Sequence, residues 1–192
     1  MNVLLVVYDN GSYIHTFPQG LAYIAAVLRK AGHDVTIYNQ DMHHWPDTHL
    51  TAYLDSRHFD VVGISVIGGY YQYRKLLALS AAINASKQRP YYIIGGHGPA
   101  PDPAYFMHKT GADAVVIGEG EDTILELLEA IGDSAKMPCV KGIAYREGEQ
   151  VIVNERRPLI ADIDSIPMPA YDLFPMQYYR LLRMPHTTNK DF

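Results

Sequence analysis

Short apolar runs alternate with longer amphipathic stretches along most of this chain. Nearly every position in the runs is apolar and many are β-branched, as expected of strands in a parallel sheet that is covered on both faces. The pattern therefore predicts five buried strands. They are residues 3–8, 34–39, 60–66, 91–95 and 113–117.

The stretches between these runs predict helices. Residues 20–31 place apolar side chains at positions 21, 24, 25 and 28, which share one helical face, and Gly32 follows as a stop signal. Strands that alternate with helices predict a flavodoxin-like (Rossmann-like), doubly wound α/β fold with a five-stranded parallel sheet. The strand order 2-1-3-4-5 fits such a fold. The further predicted helices are residues 49–56, 70–86, 103–110 and 121–131.

The pattern changes after Gly132. Residues 141–146 and 151–154 flank a polar turn, which predicts a C-terminal β-hairpin. The proline-rich stretch 166–175 predicts an extended linker, because each proline disfavours helix at the residue before it. The chain is thus expected to divide into an α/β domain, 1–132, and a hairpin and linker region, 133–192. The end of that region is expected to gain stability only by burial against a neighbouring domain.

Charge and cysteine content narrow the classes of function. The net charge is −5 and lysines and arginines do not cluster, so we expect no nucleic-acid partner. No apolar run reaches the ~18 to 20 residues that span a bilayer, and no basic segment precedes the first strand, so we expect no membrane partner. The single cysteine, Cys139, can form no internal disulfide and cannot hold an iron–sulfur cluster alone. These features favour a cytoplasmic protein.

The candidate site comes from the segments that follow the strands. In an open parallel sheet, ligands bind beyond the carboxyl ends of the strands. Glycines recur in the segments after the first, third, fourth and fifth predicted strands, and glycine lets the backbone approach a ligand closely. Glycines that serve only to form turns would explain one such segment, but four segments at one edge of the sheet favour a binding site for a bulky ligand. The segments are 9–20, 65–69, 95–99 and 118–121.

Common nucleotide sites are not encoded here. Gly11 and Gly20 are too far apart for a G-x-G-x-x-G dinucleotide motif, and prolines follow the glycines at 95–98. No G-x-x-x-x-G-K-[ST] phosphate loop occurs. A response-regulator receiver would need an aspartate at the end of the third strand, where Ser65 stands instead.

At this level of detail the chain resembles the B12-binding domain that precedes the catalytic domain of B12-dependent radical-SAM enzymes. The resemblance covers nearly the whole chain, and the order and spacing of its motifs carry it. The matching segments are PQGLAYIAAVL (18–28), GHDV (32–35), DVVGIS (60–65), IGGHGP (94–99), VIGEGE (116–121), KGIAY (141–145) and IPMPAYD (166–172).

The resemblance implies a site as well as a cofactor, cobalamin. The loops after the third, fourth and fifth strands would hold the corrin ring and its nucleotide tail, and the loop from Asn10 to Gly20 would cover the lower corrin face. A radical-SAM domain in the same polypeptide, with a [4Fe–4S] cluster and S-adenosylmethionine, would follow the linker. The implied cofactor-binding residues are Asn10, Gly11, Pro18, Gly20, Ser65, Val66, Ile67, Gly68, Gly95, Gly96, His97, Gly98, Pro99, Gly118, Glu119 and Gly120.

One departure concerns the cobalt ligand. The D-x-H-x-x-G motif that supplies a histidine to cobalt in other B12 proteins is absent, since His15 stands six residues after Asp9. Asp41 and His43 form only the start of such a motif, after the second strand. We therefore expect no histidine ligand to cobalt. His43, His44 and His49 lack cysteine or carboxylate partners at ligand spacing, so no other metal site is expected.

The leading hypothesis is a cobalamin-binding module without catalytic residues of its own, part of a methyl-transferring or ring-forming enzyme. Two alternatives stay open at this point. The chain could be a self-contained flavodoxin-like enzyme that uses Ser65, His97 and Glu119, or a carrier of flavin or another small redox ligand. Neither a G-x-S-x-G elbow nor a visible base–nucleophile pair supports the enzyme alternative.

Overall fold

A single sheet of seven strands forms the centre of the protein, in the order β2-β1-β3-β4-β5-β6-β7. The computed structural model describes residues 1–11 and 17–181. The first five strands are parallel to one another and have the predicted order, so the flavodoxin-like fold is confirmed. These strands are β1 (Asn2–Val7), β2 (Asp34–Asn39), β3 (Val61–Ser65), β4 (Tyr91–Gly95) and β5 (Ala114–Val116).

The predicted hairpin is present and extends the sheet. Strand β6 (Ile143–Glu147) pairs antiparallel with β5, and β7 (Gln150–Val153) pairs antiparallel with β6. The sheet therefore continues across residue 132.

Helices cover both faces of the sheet. On one face lie α1 (Gln19–Lys30) and α6 (Glu121–Ala130), and their apolar sides pack on Val3, Leu5 and Val7 of β1. On the other face, α3 (Thr48–Asp55), α4 (Tyr70–Asn84) and α5 (Pro103–Thr110) pack on Leu4 and Val6. This split follows from the alternation of side chains along a strand and confirms the doubly wound arrangement. The short helix α2 (Gln40–His43) follows β2 directly and was not predicted.

The chain after the hairpin folds back over α1. We name residues 166–181 the C-terminal strap; they contain α7 (Met176–Leu181). Ala170 and Phe174 are buried in the core on the α1 side of the sheet. The expectation that this segment needs a neighbouring domain for burial is therefore wrong as far as Tyr179, because the core on the α1 side supplies the apolar surface. Residues 182–192 lie outside the described part.

Candidate functional site

Strands β1 and β3 lie side by side at the centre of the parallel sheet. The connection from β1 runs through α1 on one face, whereas that from β3 runs through α4 on the other. The strand order therefore changes direction between β1 and β3. In open α/β sheets a crevice forms at this switch point, beyond the carboxyl ends of the strands. This is the edge at which the sequence predicts a ligand.

The segments that follow β3 and β4 interlock at this edge. The Val66 amide donates a hydrogen bond to the Gly95 carbonyl oxygen at 2.9 Å, and the Gly98 amide donates to the Val66 carbonyl oxygen at 3.0 Å. Gly96 has φ +90°, and a Cβ atom there would lie 2.5 Å from the same Val66 oxygen. Glycine is therefore required at position 96 by the protein itself, whatever binds nearby.

At two other glycines of this edge, Gly95 and Gly20, the structure has space for a side chain. A Cβ atom on Gly95 would meet only Val116, at ordinary distances of 3.6 Å from its Cβ atom and 3.9 Å from its backbone oxygen, and one on Gly20 would meet nothing within 4 Å. Neither residue has a positive φ. At these two positions glycine leaves room for a side chain, and we call this unfilled space at the edge the cradle.

The segment after β1 is held by two side chains that sequence reasoning did not single out as part of the site. The Asp9 amide donates to Gln40 Oε1 at 3.2 Å, and the Asn10 amide donates to Asp41 Oδ1 at 2.8 Å. Both Gln40 and Asp41 are fully buried in α2. Their burial between β2 and the β1 segment depends on tertiary packing, so the only signal in the sequence is a pair of polar residues directly after a strand.

Asp41 also carries an unsatisfied acceptor. Its Oδ2 atom is buried and has no hydrogen-bond partner within residues 1–11 and 17–181. A buried carboxylate oxygen without a donor is unfavourable, and a donor group on a ligand or a water molecule would relieve it. Tyr8 lies in the same region. Burial raises the pKa of its hydroxyl, a backbone interaction with Ile67 opposes that rise, and the charge of Asp41 adds to it.

Comparison with known proteins decides the family. Residues 7–128 match the family model of the B12 binding domain, which is more than half of the chain. The chain belongs to the B12-binding domain family. Its relatives include an uncharacterized methyltransferase of Pyrococcus horikoshii, 31% identical over 188 residues, of which the match covers 94% of this chain and 40% of the relative.

Other relatives have more specific names. Cytidylyl-2-hydroxyethylphosphonate methyltransferase of Streptomyces wedmorensis is 29% identical over 204 residues, covering 85% of this chain and 38% of that protein. The anaerobic magnesium-protoporphyrin IX monomethyl ester cyclase of a Synechocystis species is 27% identical over 169 residues, covering 84% and 33%. The B12-binding domain described here thus spans about two fifths or less of the length of these relatives.

Solved structures agree on the fold. The cobalamin-dependent S-adenosylmethionine radical enzyme OxsB, with aqua-cobalamin and S-adenosylmethionine bound, superposes with a TM-score of 0.72 at 19% identity, covering 93% of this chain and 25% of that chain. The radical S-adenosylmethionine methyltransferase TsrM from Kitasatospora setae, with cobalamin and a [4Fe–4S] cluster bound, gives 0.66 at 18% identity, covering 87% and 31%. Family membership confirms cobalamin as the cofactor of this B12-binding domain and does not favour the alternatives.

The predicted site residues take several different positions in the B12-binding domain. Ser65, Gly95 and Gly96 meet in the interlocked loops, whereas the side chains of Val66 and Pro99 are buried and leave only their backbone at the edge. The exposed members are Gly20, Ile67, Gly68, His97, Gly118 and Glu119, and the half-buried ones are Asn10, Gly11, Pro18, Gly98 and Gly120.

Glu119 has an additional contact. Its Oε2 atom accepts a hydrogen bond from the Ile160 amide at 2.6 Å, so this carboxylate holds the segment after the hairpin. His97 is exposed, and within the described ranges no hydrogen bond joins it to Ser65 or Glu119. The three groups of the enzyme alternative are therefore not assembled as a catalytic set.

Histidines of the B12-binding domain occupy two surroundings near α2. His44 Nδ1 lies 3.1 Å from Asp9 Oδ2, at the edge that carries the candidate site. His43 and His49 stack on the two sides of the Trp45 ring, at 4.1 and 4.5 Å between centroids. Among the residues that the structure describes, no three histidine, cysteine or acidic residues form a metal-binding group. His15 lies outside the described residues.

A cavity elsewhere does not coincide with the predicted site. It has a volume of about 460 Å³ and lies at the amino ends of β1, β3 and β4, beside Met1, Asp60 and Arg89. This is the edge opposite the glycine-rich loops. In the described part of the chain, no helix is long and apolar enough to span a membrane.

Proposed function

We propose that this domain holds cobalamin over the carboxyl ends of β1, β3, β4 and β5 and presents it to a radical-SAM domain in the same polypeptide. The observation that carries the proposal is the cradle at Gly95, beside the interlocked loops after β3 and β4. Cobalamin is large enough to contact all four loops, and Gly20 leaves further open space in the first turn of α1.

Each part of the proposed site has a distinct role. Ser65–Gly68, Gly95–Pro99 and Gly118–Gly120 would contact the corrin and its nucleotide tail, largely through backbone groups that glycine exposes. Asn10, Gly11, Pro18 and Gly20 would lie under the lower corrin face. Bound cobalamin supplies a cobalt centre that carries a methyl group or an electron, and the protein contributes orientation and shielding.

The radical-SAM partner is proposed from the relatives. They are named as methyltransferases and cyclases, and the solved neighbours as radical enzymes that use S-adenosylmethionine. With Cys139 as its only cysteine, residues 1–192 cannot supply a [4Fe–4S] cluster, which would belong to the partner domain together with S-adenosylmethionine. We assign cofactor binding to residues 1–132 and the connection to the partner to residues 133–192, in a cytoplasmic enzyme without a nucleic-acid partner.

A binding experiment tests the cofactor. The purified chain is incubated with excess hydroxocobalamin, with flavin mononucleotide or with buffer alone, and each sample is passed through a gel-filtration column. We expect a cobalamin spectrum to travel with the protein in the first sample only. A colourless protein peak after hydroxocobalamin would contradict the proposal, and a flavin spectrum would favour the redox-carrier alternative.

A further inference from the structure

The C-terminal strap is attached to α1 by polar as well as apolar contacts. The Ala170 amide donates a hydrogen bond to the Ala22 carbonyl oxygen at 3.0 Å. Arg29 forms a two-pronged ion pair with Asp172, at 2.6 and 3.1 Å. Burial of Phe174 completes the attachment, so the strap has a defined position on the domain.

From α1 the strap reaches the end of the β1–α1 connection. Phe17, which lies two residues before α1, packs against three aromatic rings of the strap. The ring centroids lie 5.4 Å from Tyr171, 5.2 Å from Phe174 and 5.2 Å from Tyr179. Two of these contacts are edge-to-face, a favourable geometry for aromatic pairs. The strap therefore fixes the C-terminal end of this connection.

The strap also contacts the turn that holds the N-terminal end of the same connection. Asn39 Nδ2 donates to the Tyr179 hydroxyl at 3.0 Å, and the Tyr178 hydroxyl donates to the Asp41 backbone oxygen at 2.9 Å. Asp41 in turn accepts the hydrogen bond from the Asn10 amide. Two hydrogen bonds to Asp41, one to its backbone oxygen and one to its side chain, thus link Tyr178 to Asn10.

We propose that the C-terminal strap positions the two described ends of the β1–α1 connection, at Asn10 and Phe17, for cobalamin, with Tyr178 and Tyr179 as positioning residues. The inference rests on the proposed function, since it concerns the loop assigned to the lower corrin face. It extends that function to residues that lie far outside the α/β domain in sequence. Both described ends of the connection are held: Asp9 and Asn10 by the turn to which the strap is bonded, and Phe17 by the strap itself.

The physical reason lies in the cost of ordering a loop when a ligand binds. A loop that is already held in place loses less conformational freedom on binding, so pre-organisation increases affinity without a new contact to the ligand. The two tyrosine hydroxyls each contribute one hydrogen bond to this hold. Their loss is expected to raise the Kd for cobalamin about tenfold.

The test uses a variant that removes only the two hydroxyls, Tyr178→Phe with Tyr179→Phe, in the full chain. Tyr53→Phe is the matched control, because it loses a hydroxyl that bonds to Arg57, away from the edge. Three quantities are measured: the Kd for hydroxocobalamin, the exchange rates of the Asp9 and Asn10 amides without cofactor, and the melting temperature.

We expect the double variant to bind cobalamin about tenfold more weakly and to exchange the Asp9 and Asn10 amides faster, while strand amides and the control stay unchanged. Unchanged affinity would overturn the inference, with or without faster exchange. Exchange accelerated evenly over the whole sheet would also overturn it, because the strap would then stabilise the domain in general. If the double variant does not fold, the single variant Tyr178→Phe takes its place in the same measurements. We expect it to lose less affinity for cobalamin than the double variant, and unchanged affinity would overturn the inference.

The two proposals fail in different ways. If the wild-type chain does not bind cobalamin at all, the proposed function is wrong, and with it the role of the strap in cofactor binding. The exchange rates of Asp9 and Asn10 would still report whether the strap holds the connection. If the wild type binds and the variant binds equally well, only the inference about the strap is wrong.

Discussion

The carboxylate of Asp9 lies 3.1 Å from Nδ1 of His44, although the two residues follow different strands. Asp9 ends the apolar run of the first strand, where other B12 proteins begin the motif that brings a histidine to cobalt. Here the imidazole beside that aspartate comes from the end of α2, where His44 has a left-handed backbone with φ +51°. The aspartate therefore already has an imidazole partner outside its own loop.

The first prediction is that cobalt receives no histidine from this domain. Protein-bound cob(II)alamin should show no nitrogen superhyperfine splitting from a lower ligand on its axial EPR features. The motivation is the missing motif, and both His15→Ala and His44→Ala serve as comparison variants. Splitting in the wild type that disappears in one of them would identify that histidine as a ligand and contradict the prediction.

The second prediction separates a glycine that serves the cofactor from one that serves the fold. Gly95→Ala places a methyl group 3.6 Å from Val116, so the free energy of unfolding should change by less than about 1 kcal/mol. The same methyl group narrows the cradle, and the Kd for hydroxocobalamin should rise at least about tenfold. Visible titration and denaturant unfolding measure the two quantities.

Gly96→Ala is the matched variant for this comparison. Its methyl group would lie 2.5 Å from the Val66 oxygen at a positive φ, so it should destabilise the fold by about 1–3 kcal/mol even without cofactor. Equal stability of the two variants would contradict the structural assignment of Gly96. Unaltered cobalamin affinity in Gly95→Ala would contradict the position of the site.

The third prediction concerns alkaline pH and the strap. Burial raises the pKa of Tyr179 to about 12, against the opposing effect of its hydrogen bond with Asn39. An unfolded tyrosine has a pKa of about 10. The raised value means that the folded state favours the neutral hydroxyl. The contribution of the neutral Tyr179 hydroxyl to stability is therefore fully present below pH ~10. It is lost as the pH rises toward the pKa of Tyr179 in the folded state.

Stability measurements of wild type and Tyr179→Phe between pH 8 and 11.5 test this effect. The free energy of unfolding of the wild type should fall more steeply above pH ~10 than that of the variant. The difference should stay below the ~1.4 kcal/mol per pH unit of one linked proton, because Tyr179 is partly exposed and solvent screens its interactions. Parallel pH profiles would argue against a perturbed Tyr179.

The fourth prediction is that residues 1–192 alone do not cleave S-adenosylmethionine. The radical-SAM cluster requires three cysteines, and this sequence has only Cys139, which is exposed. After incubation with a strong reductant and S-adenosylmethionine, 5′-deoxyadenosine should not exceed the amount in a protein-free control. Stoichiometric iron and sulfide in the purified chain would be the contrary result.

Local sequence signals predicted the parallel part of the fold to within a residue or two. The first strand is predicted at 3–8 and observed at Asn2–Val7. It could be predicted because both of its faces are buried, which requires an uninterrupted apolar run. The edge of the sheet proposed for the site follows from the same reasoning, since glycines concentrate after β3, β4 and β5. Parallel strands have their carboxyl ends at the same edge of a sheet, so this edge can be identified without any knowledge of side-chain contacts.

The support of the site could not be predicted in this way. Asp41 contacts Asn10, and Tyr178 contacts Asp41, across separations of 31 and 137 residues in sequence. Hydrophobic periodicity reports which face of an element is buried but not which distant polar group it meets. The prolines predicted an extended chain over residues 166–175, but a short 3-10 helix forms there at Tyr171–Leu173. The attachment of the strap through Arg29 and Asp172 depends on an ion pair between two exposed residues.

The path of the strap determines where the described part of the chain ends. Tyr178 and Tyr179 of α7 lie beside Asn39 and Asp41, at the carboxyl end of β2, so the described chain ends near the edge that carries the candidate site. A domain tethered there begins its search within a short radius of the cofactor, at an effective concentration set by tether length and not by its bulk concentration. Encounter between the two would then be intramolecular and nearly independent of protein dilution.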